Sequence, residues 1–249
     1  IRMSKTSDAS RSNQGSTDGL LPHELDRILD AVDGLGDALV EAVIDAVRIP
    51  SITPNYPGES YEDLLGGEAA VAQLVGERYR QAGCQVDLFA VEPGRENCVG
   101  LLRGTGGGRS LIFNGHTDVV PGGPSDEWAD GDPWSGRVAD GNIFGRGACD
   151  MKGGVLAQAH AALALREAGI QLRGDLILEA VVGEEMMEHH LGTTACVLRG
   201  YSADAAVVSE PSSPPQALAI APVTAGVLWF EVACEGKPSH TSMRGETIY

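Results

Sequence analysis

The sequence is short of lysine. Only three of its 18 basic residues are lysines (Lys5, Lys152 and Lys237), and 35 acidic residues bring the formal net charge to −17. Phosphate binding needs a basic surface, so nucleic acid is not an expected partner. An acidic, lysine-poor surface repels itself at low ionic strength and is tolerated when salt screens it. The composition therefore fits a salt-adapted host or, equally, an arginine-preferring genome. Long apolar runs are also missing: none approaches the roughly 20 residues needed to span a bilayer, so no membrane partner is expected. Residues 1–21 lack the apolar centre of a signal peptide and read as a polar, disordered leader. Met3 lies inside it, which suggests that the first two residues are not a natural start. Paired cysteines are absent too. Cys84, Cys98, Cys149, Cys196 and Cys234 are scattered without a C-x-x-C, as expected of reduced thiols in a cytoplasmic protein.

What is present is a globular pattern. Hydrophobic residues make up 43% of the chain, enough for a sizeable core. Residues 22–48 carry apolar positions at helical spacing, with Gly34 and Gly36 dividing two helices. Residues 60–82 read as one helix ending at Gly83. Shorter apolar runs at 85–91, 98–103 and 110–114 read as strands. The G-T-G-G-G at 104–108 precedes a strand rather than a helix, so a hairpin turn is expected there rather than a phosphate cradle. Residues 121–149 are a long Gly/Asp/Pro-rich excursion, a functional loop by its length. Helices at 152–168 and 191–199 alternate with buried strands at 175–182 and 204–209. That alternation predicts an α/β sandwich with helices on both faces over residues 22–216. A second domain is expected from residue 217, and its stop at Tyr249 makes the chain read as a fragment.

The ionisable residues gather where these strands end. One run ends at His116, another at Glu184 and Glu185, a third at Glu210, and Asp150 immediately precedes a helix. In open α/β sheets the site lies beyond the carboxyl ends of the strands. Clustered carboxylates repel unless protons or cations neutralise them, and carboxylate with imidazole suits zinc, cobalt or manganese. The ligand count fits a two-metal site, with metals about 3.5–4 Å apart. The His116-x-Asp118 spacing puts both side chains on one side of an extended strand, where Asp118 could orient the imidazole. A strand-end histidine can equally be structural. His189 and His190 read as residues of a polar stretch entering a helix, and His23 and His160 as packing or surface residues. Cys149 reads as a small buried residue, not a nucleophile.

GHTDVVP (115–121), GRGACDMKGG (145–154), GEE (183–185), SEPS (209–212) and GKPSHTSMRG (236–245) occur in the order seen in the M20 metallopeptidases, which the chain resembles over residues 40–249. The resemblance implies a three-layer α/β/α zinc-peptidase catalytic domain followed by the start of a smaller α+β lid and dimerisation domain. It implies two zinc ions, with cobalt or manganese as alternatives. His116 matches a ligand of one metal beside Glu210, Asp150 the bridging carboxylate and Glu185 the ligand of the second metal. Many family members have aspartate at the position of Glu210. Glu184 matches the general base, Asp118 the partner of His116, and His240 a lid residue that reaches the partner subunit's site in a homodimer. The peptide after Asp150 is often cis in this family. The implied activity is hydrolysis of an N-acyl amino acid or small peptide. A dipeptidase, a carboxypeptidase or a non-catalytic scaffold of the same fold stay open. The family's last zinc ligand lies beyond residue 249, so the chain alone is expected to hold the second metal poorly and to be inactive.

Overall fold

The computed structural model describes residues 21–212 and 219–222. By internal contact the chain divides into residues 1–211 and 212–249, and every helix and strand among the described residues lies in the first unit. Apart from residues 219–222, the expected lid, with His240 and Cys234, lies outside the described residues, as does the expected leader through residue 20.

The strands are β1 (Gln85–Ala90), β2 (Glu96–Leu102), β3 (Leu111–His116), β4 (Arg137–Ala139), β5 (Asn142–Phe144), β6 (Leu176–Val181) and β7 (Ala205–Val208). Five of them form one mixed sheet in the order β1-β2-β6-β3-β7. β3, β6 and β7 are parallel, while β2 runs antiparallel to β1 and β6. β6 is central, and all six of its residues are buried. That is why its sequence is almost continuously apolar rather than alternating. β4 and β5 make a separate hairpin within the 121–149 excursion.

The helices are α1 (Pro22–Gly34), α2 (Gly36–Val47), α3 (Tyr61–Leu64), α4 (Gly67–Gln81), α5 (Lys152–Glu167) and α6 (Thr193–Leu198). Val43 and Val47 of α2, Val71 and Val75 of α4, and Val155 and Leu156 of α5 cluster with Leu176, Leu178 and Ala180 of β6 on one face. On the other face Cys196 of α6 packs with Val99, Ile177 and Val181. The sheet is thus the middle of three layers, as the alternating pattern predicts. Gln158 of α5 ties two parallel strands together, its amide donating to the carbonyls of Asn114 and Val207 at 3.2 and 3.3 Å.

Three expectations need correcting. The strand expected to be buried at 204–209, β7, ends the sheet order and has all four of its residues exposed. The single helix over 60–82 is broken at Gly66, whose φ of 95° is left-handed. α4 starts anew at Gly67, where a Cβ would meet the Pro50 carbonyl oxygen at 2.3 Å. Its far end follows the sequence: Gly83 has φ 90°, its N–H donates to Arg80, and the Cys84 N–H reaches back to Tyr79. Nor is 104–108 a hairpin, because β6 lies between β2 and β3. The loop instead crosses the start of β6, with Thr105 and Gly106 N–H groups donating to Leu172 and Arg173. A Cβ at Gly104 would lie 2.5 Å from the Arg173 carbonyl oxygen, so glycine serves a close crossing there.

Candidate metal centre

Because β3, β6 and β7 are parallel, their carboxyl ends share one rim. β3 ends on His116, β6 runs into the loop carrying Glu184 and Glu185, and β7 is followed by Glu210. α5 starts at the same rim, with Asp150 just before it and a cis Asp150–Met151 peptide. α5 can lie this close because Gly115 and Gly154 have no side chains. A Cβ at Gly115 would meet Val155 and Met151 at 2.7 and 2.8 Å, and one at Gly154 the Ser209 carbonyl at 2.5 Å.

His116 is buried. Its Nδ1 lies 2.8 Å from the Asp118 backbone carbonyl, which can only accept, so Nδ1 carries a proton and Nε2 faces the acids. Asp150 Oδ1 is 3.0 Å from Nε2, Glu210 Oε1 3.6 Å and Glu184 Oε2 3.7 Å. The ligand atoms of His116, Asp150 and Glu185 all lie within 4.8 Å of one another, as do those of His116, Glu184 and Glu210. All five predicted rim residues are therefore brought together around one imidazole. Asp118 is buried beside them. Its carboxylate stands 3.6 Å from Nδ1 and accepts the backbone N–H groups of Glu184 and Glu185 at 3.4 and 3.2 Å.

The crowding shows in the proton affinities. Burial lowers His116, but Asp118, Asp150 and Glu210 more than reverse this and push it up to about 11. Burial first, and then the neighbouring carboxylates against the pull of His116, push Glu185 and Glu210 up to about 7. Asp150 is held below the usual range, chiefly by its bond to His116. Such a cluster keeps protons that free carboxylates would release.

A cleft of about 260 Å³ opens beside the imidazole, lined among others by Asn114, His116, Glu184, His189, Thr193 and Glu210. Asn114, two residues before His116 on β3, could have been found from the period of two; Thr193 and His189 carry no such signal. His160 is buried within α5, its Nδ1 2.8 Å from the Leu156 carbonyl. Cys149 is exposed, not buried as expected, because it belongs to the turn that presents Asp150 at the rim. Cys84, Cys98 and Cys196 are buried free thiols. No helix among the described residues is long and apolar enough to cross a membrane.

Residues 112–246 match the model of peptidase family M20/M25/M40. The chain belongs to this family. Over 190 residues, 76% of its length, this M20 chain is 40% identical to the N-formyl-4-amino-5-aminomethyl-2-methylpyrimidine deformylase of Halalkalibacterium halodurans, covering 42% of that protein. It is 35% identical over 184 residues to the succinyl-diaminopimelate desuccinylase of Methylorubrum extorquens, covering 71% of this chain and 43% of that one. Among solved structures, the di-peptidase Dug1p from Saccharomyces cerevisiae aligns with a TM-score of 0.64 at 20% identity, over 77% of this chain and 42% of that one. Human carnosine dipeptidase 1 aligns with 0.62 at 22% identity, over 76% and 41%. At these identities the likeness is one of fold. The M20 chain spans less than half the length of these relatives.

Proposed function

We propose that the full-length protein is a metal-dependent amidohydrolase that removes a small acyl group from an amine, with two zinc ions and Glu184 as general base. The observation that carries this reading is the convergence of four carboxylates on one buried imidazole, in two triads whose ligand atoms lie within 4.8 Å. The donor set fits divalent metal: imidazole and carboxylate oxygens at one rim, holding protons that a cation would replace. His116, Asp150, Glu185 and Glu210 would hold the ions. Bound there, the ions would supply an acidified water and polarise the amide carbonyl.

The chain's own residues do the rest. Glu184 stands half-exposed at the cleft, 3.7 Å from His116 Nε2, and takes the proton of the attacking water. The water oxygen bonds to the carbonyl carbon, the carbon–nitrogen bond breaks, and Glu184 returns the proton to the departing amine. Asp118 fixes the backbone of both glutamates. His240, outside the described residues, would reach the partner subunit's oxyanion in a homodimer. Both curated relatives named above remove an acyl group from an amine, which favours N-acyl substrates over dipeptides.

The test uses full-length protein, metal analysis, and assays on N-formyl and N-succinyl amines beside dipeptides. Glu184→Ala should lower turnover by at least 10²–10⁴-fold while metal content stays at two per chain. Glu185→Ala should lower metal content. Loss of metal from Glu184→Ala would overturn the base assignment. Wild-type protein that binds metal but turns over neither substrate class would favour a scaffold.

A further inference from the structure

We propose that Arg95 is a positioning residue for the metal centre: it grips Glu188 and so sets the 183–191 loop that carries Glu184 and Glu185. The proposal rests on the hydrolase reading above. Arg95 is fully buried at the entrance to β2. Its Nε and Nη2 donate to the two carboxylate oxygens of Glu68 on α4, at 2.6 and 3.0 Å, and Glu68 is itself buried. This two-pronged pair fixes the guanidinium plane. Nη1 is then aimed at Glu188 Oε2, at 2.7 Å. The other Glu188 oxygen accepts from Asn55 Nδ2 at 2.5 Å.

Glu188 is well placed to act on the loop. Its N–H donates to the Gly183 carbonyl at 2.6 Å, and its own carbonyl accepts from Leu191 at 2.8 Å. Gly183 has φ 81°, and a Cβ there would meet the Glu188 carbonyl oxygen at 2.9 Å. Two residues along β2, buried Asn97 clamps both ends of the same loop. It donates to the Leu191 carbonyl at 2.8 Å and accepts the Val182 N–H at 3.2 Å. With Asp118 under Glu184 and Glu185, the loop is tied at its ends, its middle and its two functional residues. Burying a guanidinium is costly unless it is fully paired. Here the pairing is spent on the loop that carries both the base and a metal ligand, and a lysine could not reproduce the fork.

The alternative is an anchor that stabilises the fold and leaves the centre alone. Glu92 separates the two, because its carboxylate also accepts from Arg95 Nη1, at 3.4 Å, yet lies outside the loop. Glu188→Gln keeps the Arg95–Glu68 pair, so the fold should survive. In full-length protein we expect Glu188→Gln to weaken the more loosely held metal about 10–100-fold, lower kcat about tenfold with KM within about twofold, and change the Co²⁺ absorption bands of cobalt-loaded enzyme. Glu92→Gln should leave all three unchanged. Wild-type metal affinity, cobalt spectrum and kcat in Glu188→Gln would overturn the proposal, as would equal changes in both variants. Wild-type protein that held no metal would overturn the hydrolase reading itself, and this inference with it.

Discussion

Asp118 is fully buried, and its carboxylate oxygens accept the backbone N–H groups of Glu184 and Glu185. The Nδ1 of His116 lies 2.8 Å from the Asp118 backbone carbonyl and 3.6 Å from its carboxylate. Asp118→Ala would therefore leave His116 oriented while stranding two amide donors, at about 1–3 kcal/mol for each one kept from water. The expected result is a lower Tm and metal affinity reduced about 10–100-fold. Unchanged affinity in a metal titration would show that the loop is held without it. Protons at the same site yield a second expectation. In metal-free protein His116 is raised from 6.5 to about 11, and Glu185 and Glu210 from 4.5 to about 7. Each of these groups binds its proton more tightly in the folded state. Their stabilisation is complete below the lower value and is lost as pH rises through the higher one. Metal bound at this centre would take the place of these protons. The rise in Tm on adding zinc should thus grow from about pH 6 to about pH 9, with protons released on binding. A zinc-induced shift independent of pH would contradict the cluster's proton content.

At the scale of elements, the centre depends on how closely α5 lies against the ends of β3 and β7. Gly154 faces the Ser209 carbonyl and hydroxyl, where a Cβ would stand 2.5 and 2.7 Å away. Ser209 precedes Glu210 and α5 follows Asp150, so the contact joins the two segments that carry these carboxylates. Gly154→Ala should cost about 1–3 kcal/mol by overpacking and reduce metal binding with it. Thermal unfolding beside metal analysis checks this, and a variant of wild-type stability and metal content would show that β7 gives way freely. Much of this framework was legible in the residues. The apolar runs announced β3, β6 and β7, their polar termini announced His116, Glu184, Glu185 and Glu210, and Gly83 marked the end of α4. Other features depend on what lies beside a segment in space, which no local pattern carries. The insertion of β6 between β2 and β3 turned an expected hairpin into a crossing. The new start of α4 at Gly67 answers the Pro50 backbone. Arg95 sits in an ordinary-looking R-E-N, and only the fold brings Glu68 and Glu188 to it.

For the whole molecule, the formal charge of −17 is spread over a surface that has few lysines to oppose it. Lys152 does not face solvent at all. It is buried, and its Nζ donates to the Ala46 and Ile49 carbonyls at 2.9 and 2.7 Å, closing the carboxyl end of α2. On the outer face of α2, Asp37, Glu41 and Asp45 are exposed and follow one another at intervals of four residues. Like charges at that spacing are neighbours and cost about 0.2–0.5 kcal/mol per pair. Asp37 in the first turn is favoured by the helix dipole, whereas Asp45 near the last turn is opposed by it. Salt shortens the reach of these charges from about 10 Å at 0.1 M to about 3 Å at 1 M. The Tm of metal-saturated protein should therefore rise between dilute buffer and molar KCl. Glu41→Lys turns two repulsive pairs into attractive ones. It should raise low-salt stability by about 0.8–2 kcal/mol and flatten the salt dependence. Saturating metal keeps the carboxylates of the centre out of the comparison. A Tm that did not move with KCl would mean that the acidic surface carries no energetic penalty to screen, and that its lysine poverty reflects codon preference rather than adaptation to salt.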